Sequence, residues 1–302
     1  MDIIFATNNN FCQHAAVAIA SLLAHNAEEN ITIHLFEIQC EKINLLRIEK
    51  VVQDFAGEII MYHITPDIFQ GFPPTGNYSI ACYLRLLSSS LLPNLNKVLY
   101  LDCDLVINGS IRDLWDLDIE GYSMAALYDT TLSYNIVKDY IGYDYDREGY
   151  VNSGVLLMNL KYWREKGVQK KLVDFLNTHT VKLPDQDALN IILHGTIKIL
   201  DPKWNCHVGY FAFPPLVINE QKKYIKKLWR NAVIIHFTGP AKPWCLECVN
   251  PYRKIYLDYL KLTPWKNYKL CRIEKNYFKS YKKIFLRHLK NVVAYVVSNC
   301  YR

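Results

Sequence analysis

The stretch at residues 98–107, VLYLDCDLVI, places two aspartates two residues apart inside a run that is otherwise apolar. Its β-branched and aromatic residues favour a buried strand, in which residues i and i+2 point to the same side. Asp102 and Asp104 would then face one side together at the end of that strand. Because burying two like charges is costly, the pair requires either salt-bridge partners or a divalent cation.

Strand and helix patterns alternate on the N-terminal side of this stretch. Apolar strand patterns at residues 2–6, 31–36 and 59–64 are separated by helical periodicity. Such alternation indicates βαβ units, and so an α/β fold with a mostly parallel sheet. Ligands of these sheets bind beyond the carboxyl ends of the strands, which makes the polar loop at residues 7–10 a candidate nucleotide contact.

Further elements of both kinds are predicted towards the C-terminus. Strand patterns occur at 124–128, 155–158 and 233–236, and helical patterns occur at 79–92, 163–176 and from 184 onwards.

The bulk composition is that of a globular protein. The chain has 302 residues, of which 51% are hydrophobic and 21% charged, enough for one large α/β domain. We expect neither a secretory signal nor a transmembrane helix, because the start lacks a basic region and no 18-residue window is uninterruptedly apolar. The nine cysteines are therefore expected as free thiols in the cytoplasm. Cys245 and Cys248 lack a second C-x-x-C pair, which favours thiols over a zinc site.

Positive charge is concentrated at the C-terminus. Residues 253–302 hold 13 Lys and Arg against two acidic residues, a local charge of +11, so the rest of the chain carries −5 of the overall +6. Apolar residues recur at helical spacing between residues 275 and 297, with lysines around them. This pattern predicts a basic amphipathic helix on an anionic membrane surface. A helix docked on the main domain and nucleic-acid binding are the alternatives, of which nucleic acid is the least favoured.

Two enzyme classes place an acidic pair at a strand end. In phosphatases of the haloacid dehalogenase superfamily the pair closes the first strand, whereas here it lies behind three predicted strands. In nucleotide-sugar transferases a D-x-D pair holds a divalent cation that bridges the diphosphate and stabilises the leaving group. The position of the pair favours the second class.

The segment at residues 234–244, IIHFTGPAKPW, adds a histidine at a strand end and a Gly-Pro turn. A lone strand-end histidine is usually a core residue, and a turn lysine is usually solvated. Together with the acidic pair, however, His236 suits a third ligand for Mn²⁺ or Mg²⁺, and Lys242 suits a diphosphate contact.

Four motifs follow one another along the chain: LYLDCD, NSGVLLMNL, DQDALN and HFTGPAKPW. In this order they resemble glycosyltransferase family 8, and especially the retaining α-galactosyltransferases of bacterial lipooligosaccharide assembly. The segments MDIIFATNNN and SIACYLRL fit the same pattern, so the resemblance runs from residue 1 to about 248.

The resemblance implies a GT-A fold, which is Rossmann-like and binds nucleotide sugars on a mixed, mostly parallel central sheet. It implies a catalytic domain at residues 1–250, with 251–302 as a basic, aromatic, helical extension for membrane attachment. Asp102, Asp104 and His236 would hold the metal. The donor contacts implied besides these two aspartates are Ala6, Asn8, Asn10, Arg85, Cys103, Asn152, Asp185, Gln186, Gly239 and Lys242.

Two of these positions bear on specificity and mechanism. Asn8 departs from the aspartate of close relatives, although an amide oxygen can still accept from the uracil N–H. Gln186 occupies the position of a nucleophile but is an amide, so we expect front-face attack rather than a covalent glycosyl-enzyme. Asp185 is expected to hold donor hydroxyls. For the DQD motif at residues 185–187 the alternative is an N-terminal helix cap with acidic residues in the first turn, a role that one of the two aspartates could have at the same time.

The sequence thus predicts a metal-dependent retaining hexosyltransferase. It would move a hexose, with galactose favoured, from a UDP-sugar to a lipopolysaccharide or lipooligosaccharide core, using Mn²⁺ or Mg²⁺. Its partners would be a lipid-linked oligosaccharide acceptor and the cytoplasmic face of the inner membrane, without nucleic acid. The alternatives are a UDP-glucose-dependent α-glucosyltransferase of the same pathway, a self-glycosylating primer enzyme, and a non-catalytic nucleotide-sugar or membrane binding module.

Overall fold

A seven-stranded sheet forms the centre of the structure, which is a computed structural model. The described part of the chain comprises residues 1–74, 76, 78–129, 149–207, 228, 230–248 and 250–273. The strands lie in the order β3-β2-β1-β4-β7-β6-β8. These strands are β1 (Asp2–Asn8), β2 (Thr32–Ile38), β3 (Glu58–His63), β4 (Lys97–Leu101), β6 (Met124–Ala126), β7 (Val155–Asn159) and β8 (Ile197–Ile199).

The sheet is mixed and mostly parallel, as predicted. β1 pairs in parallel with both β2 and β4, β2 with β3, and β6 with β8. Among the strands described, only β7 runs antiparallel to its neighbours, β4 and β6. The apolar runs of β1 and β4 follow from this position, because central strands of such sheets are covered on both faces.

Helices cover both faces of the sheet. One core layer forms beneath α1, whose small residues are almost all buried, and the other forms beneath the segment 80–91. The helices are α1 (Cys12–His25), α2 (Lys42–Asp54), α3 (Ser88–Leu91), α4 (Arg112–Trp115), α5 (Leu160–Glu165), α6 (Val168–Thr178), α7 (Pro184–Ile192) and α8 (Arg253–Leu260).

A second, three-stranded sheet lies beside the first. It consists of β5 (Leu105–Ile107), β10 (Ile234–His236) and β9 (Cys206–His207), in that order. β10 is antiparallel to β5 and parallel to β9. This small sheet joins the segment after the acidic pair to the segment that carries the predicted histidine ligand.

Three sequence predictions differ from the structure in detail. Residues 98–107 are two strands, because β4 pairs in the large sheet and β5 in the small one, so the chain must turn between them. The predicted helix at 79–92 is a 3₁₀ helix, Ile80–Leu87, followed by α3. The predicted helix at 163–176 is interrupted by Gly167, whose φ of 61° lies in the left-handed region.

The first part of the basic segment packs on the main domain. Tyr256 and Leu260 of α8 are buried, and the Tyr256 hydroxyl lies 2.6 Å from Nδ1 of His14 in α1. Backbone hydrogen bonds also join Cys271 to the chain at residues 244–246. The basic helix predicted at 275–297 lies outside the described residues, and the domain boundary at 250 stays a prediction. None of the helices in the described ranges is long and apolar enough to cross a bilayer.

The buried His14 should make the stability of the protein sensitive to acid. Its ring stacks on Trp244, and burial lowers its pKa from 6.5 to about 3. Between these pH values the unfolded chain binds a proton that the folded chain excludes, so stability falls as the pH drops below 6.5. We expect this residue to cost about 2 kcal/mol of unfolding free energy between pH 7.5 and 5.0.

Urea denaturation of the wild type and of His14→Gln at both pH values measures this effect. The variant should be less stable at pH 7.5 and should lose less stability on acidification. An equal pH dependence in the two proteins would show that His14 is protonated in the folded state.

Candidate functional site

The three predicted metal ligands converge where the two sheets meet. Asp102 follows β4, Asp104 precedes β5, and His236 ends β10. Nε2 of His236 lies 3.0 Å from Oδ1 of Asp104 and 3.7 Å from Oδ2 of Asp102. One potential ligand atom from each residue lies within 4.8 Å of the other two, and no other group of three or more His, Cys, Asp or Glu side chains in the described ranges is arranged in this way.

This donor set fits a divalent cation. Two carboxylates and an imidazole suit Mn²⁺ and similar ions. Gly154 keeps the space between the ligands open, because a Cβ there would lie 2.1 Å from Cε1 of His236 and 2.8 Å from Oδ2 of Asp102. The carbonyl of Gly154 accepts a hydrogen bond from the backbone N–H of Asp102 at 2.9 Å. This bond fixes how closely the backbone of Gly154 lies to the acidic pair.

Two cations balance the charges of the acidic pair. The buried Arg85 donates from Nη2 to Oδ1 of Asp102 at 2.8 Å, and its guanidinium lies over the ring of Tyr100. The ammonium of Lys242 pairs with Asp104 and also donates to the carbonyl of Phe237. Burial alone would raise the pKa of Asp104, but Lys242 and His236 outweigh it and hold that pKa well below its usual range.

A buried carboxylate oxygen of Asp185 lies on the other side of Arg85. Oδ2 of Asp185 is 3.1 Å from Nε of Arg85, but that N–H donates to the carbonyl of Cys82. Oδ2 therefore accepts no hydrogen bond from any residue that the structure describes. Burial raises the pKa of Asp185. A buried acceptor without a donor is rare, and a sugar hydroxyl would supply one.

Gln186 is held in a network of amide and carboxylate groups. Its Oε1 accepts from the backbone N–H of Ser153 at 3.0 Å, and its Nε2 donates to Oδ2 of Asp129 at 3.1 Å. Asn152 donates to the same Asp129 oxygen at 3.2 Å. The amide of Gln186 therefore has one fixed orientation.

Asp187 has a structural role instead. Its side chain accepts from the hydroxyl of Tyr150 at 2.5 Å and from the backbone N–H groups of Lys182 and Leu183 at 2.9 and 3.0 Å. The capping role considered for the DQD motif thus belongs to Asp187, which fixes the chain entering α7.

The predicted nucleotide contacts lie along the end of β1 and the turn after β10. Oδ1 of Asn8 accepts from the N–H of Asn10 at 3.1 Å, which leaves it a second lone pair. The thiol of Cys103 points inward to the carbonyl of Ala6 at 3.2 Å, so the end of β1 touches the acidic segment. Gly239 has a φ of 79° in an open turn.

Several residues that contact the predicted site were not assigned to it from the sequence. Tyr100, Ser153 and Gly154 lie inside the quoted LYLDCD and NSGVLLMNL motifs, so a signal was present. Asp129 and Asn205 are distant in sequence from the groups they contact, and no local pattern marks them. The unassigned residues are thus Tyr100, Asp129, Ser153, Gly154 and Asn205.

The sequence model of Glycosyl transferase family 8 matches residues 2–248. The chain belongs to this family. Its structure is similar to that of the galactosyltransferase LgtC in complex with donor and acceptor sugar analogs, with a TM-score of 0.76 and 27% identity over 87% of this chain and 96% of that one. The GT-A fold is therefore confirmed, and so is the prediction of a hexosyltransferase.

The sequence also aligns over most of its length with several named relatives. A lipopolysaccharide 1,2-glucosyltransferase of Escherichia coli K12 is 27% identical over 99% of this chain and 90% of its own length. A lipopolysaccharide 1,3-galactosyltransferase of Salmonella typhimurium is 26% identical over 88% and 79%. General stress protein A of Bacillus subtilis is 27% identical over 88% and 94%. The family thus includes relatives named for either of two hexoses.

Gly154→Ala tests whether the open space is needed for a cation. The added methyl group must displace His236 or Asp102, so we expect Mn²⁺ affinity, measured by electron paramagnetic resonance, to fall by at least about tenfold. Gly109→Ala is the matched control, since its Cβ would make only ordinary contacts with Val233. Equal Mn²⁺ affinity in the wild type and Gly154→Ala would contradict a cation at this position.

Proposed function

We propose that this protein is a metal-dependent, retaining glycosyltransferase that moves a hexose from a UDP-hexose to a lipopolysaccharide or lipooligosaccharide core. The observation that carries the proposal is the arrangement around Arg85. One side of the guanidinium holds Asp102, one of the three predicted metal ligands. The other side is ion-paired with Oδ2 of Asp185, which accepts no hydrogen bond from the described residues. If the diphosphate of a UDP-hexose bound at the metal ligands around Asp102, its hexose would lie near Asp185.

Asp102, Asp104 and His236 would hold Mn²⁺ or Mg²⁺. The cation would supply stabilisation of the negative charge that develops on the diphosphate leaving group. Lys242 would add a second positive charge there once Asp104 has a metal partner. The remaining donor contacts proposed are Ala6, Asn8 and Asn10 for the uridine, and Cys103, Asn152 and Gly239 along the donor.

The chemistry would proceed on one face of the sugar. The acceptor hydroxyl oxygen bonds to the anomeric carbon as the bond to UDP breaks, and the hydroxyl proton passes to the departing phosphate oxygen. Asp185 would hold donor hydroxyls through Oδ2, the oxygen that lacks a hydrogen-bond donor among the described residues. Gln186 would orient the sugar and the acceptor, because an amide in a fixed network is a poor nucleophile.

Galactose is the favoured donor sugar and glucose is the alternative. Similarity to LgtC and to a lipopolysaccharide 1,3-galactosyltransferase supports the first, and the E. coli 1,2-glucosyltransferase supports the second. The names of the last two relatives also support a lipopolysaccharide acceptor. We place the enzyme on the cytoplasmic face of the inner membrane, to which its basic C-terminal segment would attach it.

A panel of UDP-sugars with Mn²⁺, with and without galactoside and glucoside acceptors, tests the activity. We expect release of UDP from one UDP-hexose, enhanced by an acceptor, abolished by EDTA and restored by Mn²⁺. Asp102→Asn should lower the rate at least about a hundredfold, because it removes a charged metal ligand.

Asp174→Asn is the control, since that carboxylate lies on the surface of α6. Full activity in EDTA would contradict the metal assignment. Binding of a UDP-hexose without release from any sugar would support the non-catalytic binding module instead.

The membrane assignment is tested by shortening the chain. A protein ending at residue 273 keeps α8 and the backbone hydrogen bonds of Cys271 to residues 244 and 246. It should therefore fold and transfer a hexose to a soluble oligosaccharide. It should lose binding to vesicles that contain phosphatidylglycerol, which the full chain should bind in preference to phosphatidylcholine vesicles.

Co-sedimentation with both vesicle types measures this binding. Equal vesicle binding by the two proteins would show that residues 274–302 are not the attachment segment. Failure of the shortened chain to fold would show that these residues belong to the catalytic domain.

A further inference from the structure

Asn205 lies behind the imidazole of His236, on the side away from the acidic pair. It directly precedes β9, which pairs with β10 and so brings the two residues together. Oδ1 of Asn205 is 3.0 Å from Nδ1 of His236. Both residues are buried, so water does not compete for this contact.

The orientation of the Asn205 amide is fixed from its other end. Its Nδ2 lies 3.0 Å from Oδ1 of Asn152, which also accepts from the backbone N–H of Gly154 at 3.0 Å. Nδ2 of Asn152 faces the carboxylate of Asp129 at 3.2 Å. A backbone N–H can only donate and a carboxylate can only accept, so neither amide can be reversed.

The direction of these hydrogen bonds determines the tautomer of His236. Because Oδ1 of Asn205 is an acceptor, Nδ1 of His236 must carry a proton. When a metal cation takes the place of the second ring proton, it can bind the lone pair of Nε2, the nitrogen that faces Asp104 and Asp102. A reversed amide would place the proton on Nε2 and remove its ability to bind a cation.

We propose that Asn205 is a positioning residue that holds His236 in its metal-binding tautomer. This inference rests on the metal-dependent function proposed above. Asn205 itself would touch neither metal nor donor. Asn152 also donates to Oε1 of Gln186 at 3.3 Å, so one hydrogen-bond network joins the metal-binding ring to the amide that would face the sugar.

Mn²⁺ titrations followed by electron paramagnetic resonance test the role of Asn205. We expect Asn205→Ala to weaken Mn²⁺ binding by about 10- to 100-fold, the usual effect of losing the partner of a ligating histidine. Asn205→Asp keeps an oxygen on the N–H of His236, so its Mn²⁺ affinity should stay close to that of the wild type or exceed it. Both variants should be less stable, since each leaves Oδ1 of Asn152 without the Asn205 donor.

The difference in Mn²⁺ affinity between Asn205→Ala and Asn205→Asp distinguishes a positioning role of Asn205 from a packing role. A packing role alone would lower stability in both without separating their affinities, so equal affinities in Asn205→Ala and Asn205→Asp would overturn the inference. Absence of Mn²⁺ binding by the wild type would overturn the metal centre itself. Wild-type binding that Asn205→Ala retains in full would overturn only the role of Asn205.

The tautomer can also be observed without a destabilising variant. In the Mg²⁺-loaded wild type labelled with ¹⁵N-histidine, nuclear magnetic resonance should show the proton of His236 on Nδ1, with His236→Gln used to assign the signals. A proton on Nε2 would overturn the inference.

Discussion

The charge balance around Arg85 is the constraint on which the site depends. This buried guanidinium faces Asp102 on one side and Asp185 on the other, and it also donates to the backbone of Cys82 and Ser153. Losing the arginine would leave the buried Asp185 without its counter-charge, which typically costs about 3–5 kcal/mol, and would remove the cation beside the partly exposed Asp102. Arg85 therefore stabilises the fold and also aligns Asp102 with Asp185, the residues proposed to act on the diphosphate and on the sugar of the donor.

The turn between the two sheets explains why the acidic pair is where it is. β4 ends in the large sheet and β5 begins in the small one, so the three residues between them leave both ladders. The carboxylates of Asp102 and Asp104 are thus available to bind ligands, while the strands on either side stay buried. The antiparallel pairing of β5 with β10 then brings His236 from more than a hundred residues away to Asp104.

Much of the fold followed from local pattern, and the exceptions have physical reasons. Alternating apolar and helical periodicity predicted β1, β2 and β3 with their helices, because each element buries one face against a neighbour. The division of residues 98–107 into two strands was missed, since strand propensity does not say which sheet a strand joins. The interruption at Gly167 was also missed, because a single glycine is compatible with either a helix or a turn.

The sequence by itself determined the fold class, the family and the types of side chain at the site, because motifs in a fixed order encode them directly. The tertiary structure decided how those groups are used. It assigned Arg85 and Lys242 to the two aspartates, gave the capping role to Asp187 rather than Asp185, and left one oxygen of Asp185 without a donor. It also placed Asn205 behind His236. These relations depend on distances between residues far apart in the chain, which only the packed fold fixes.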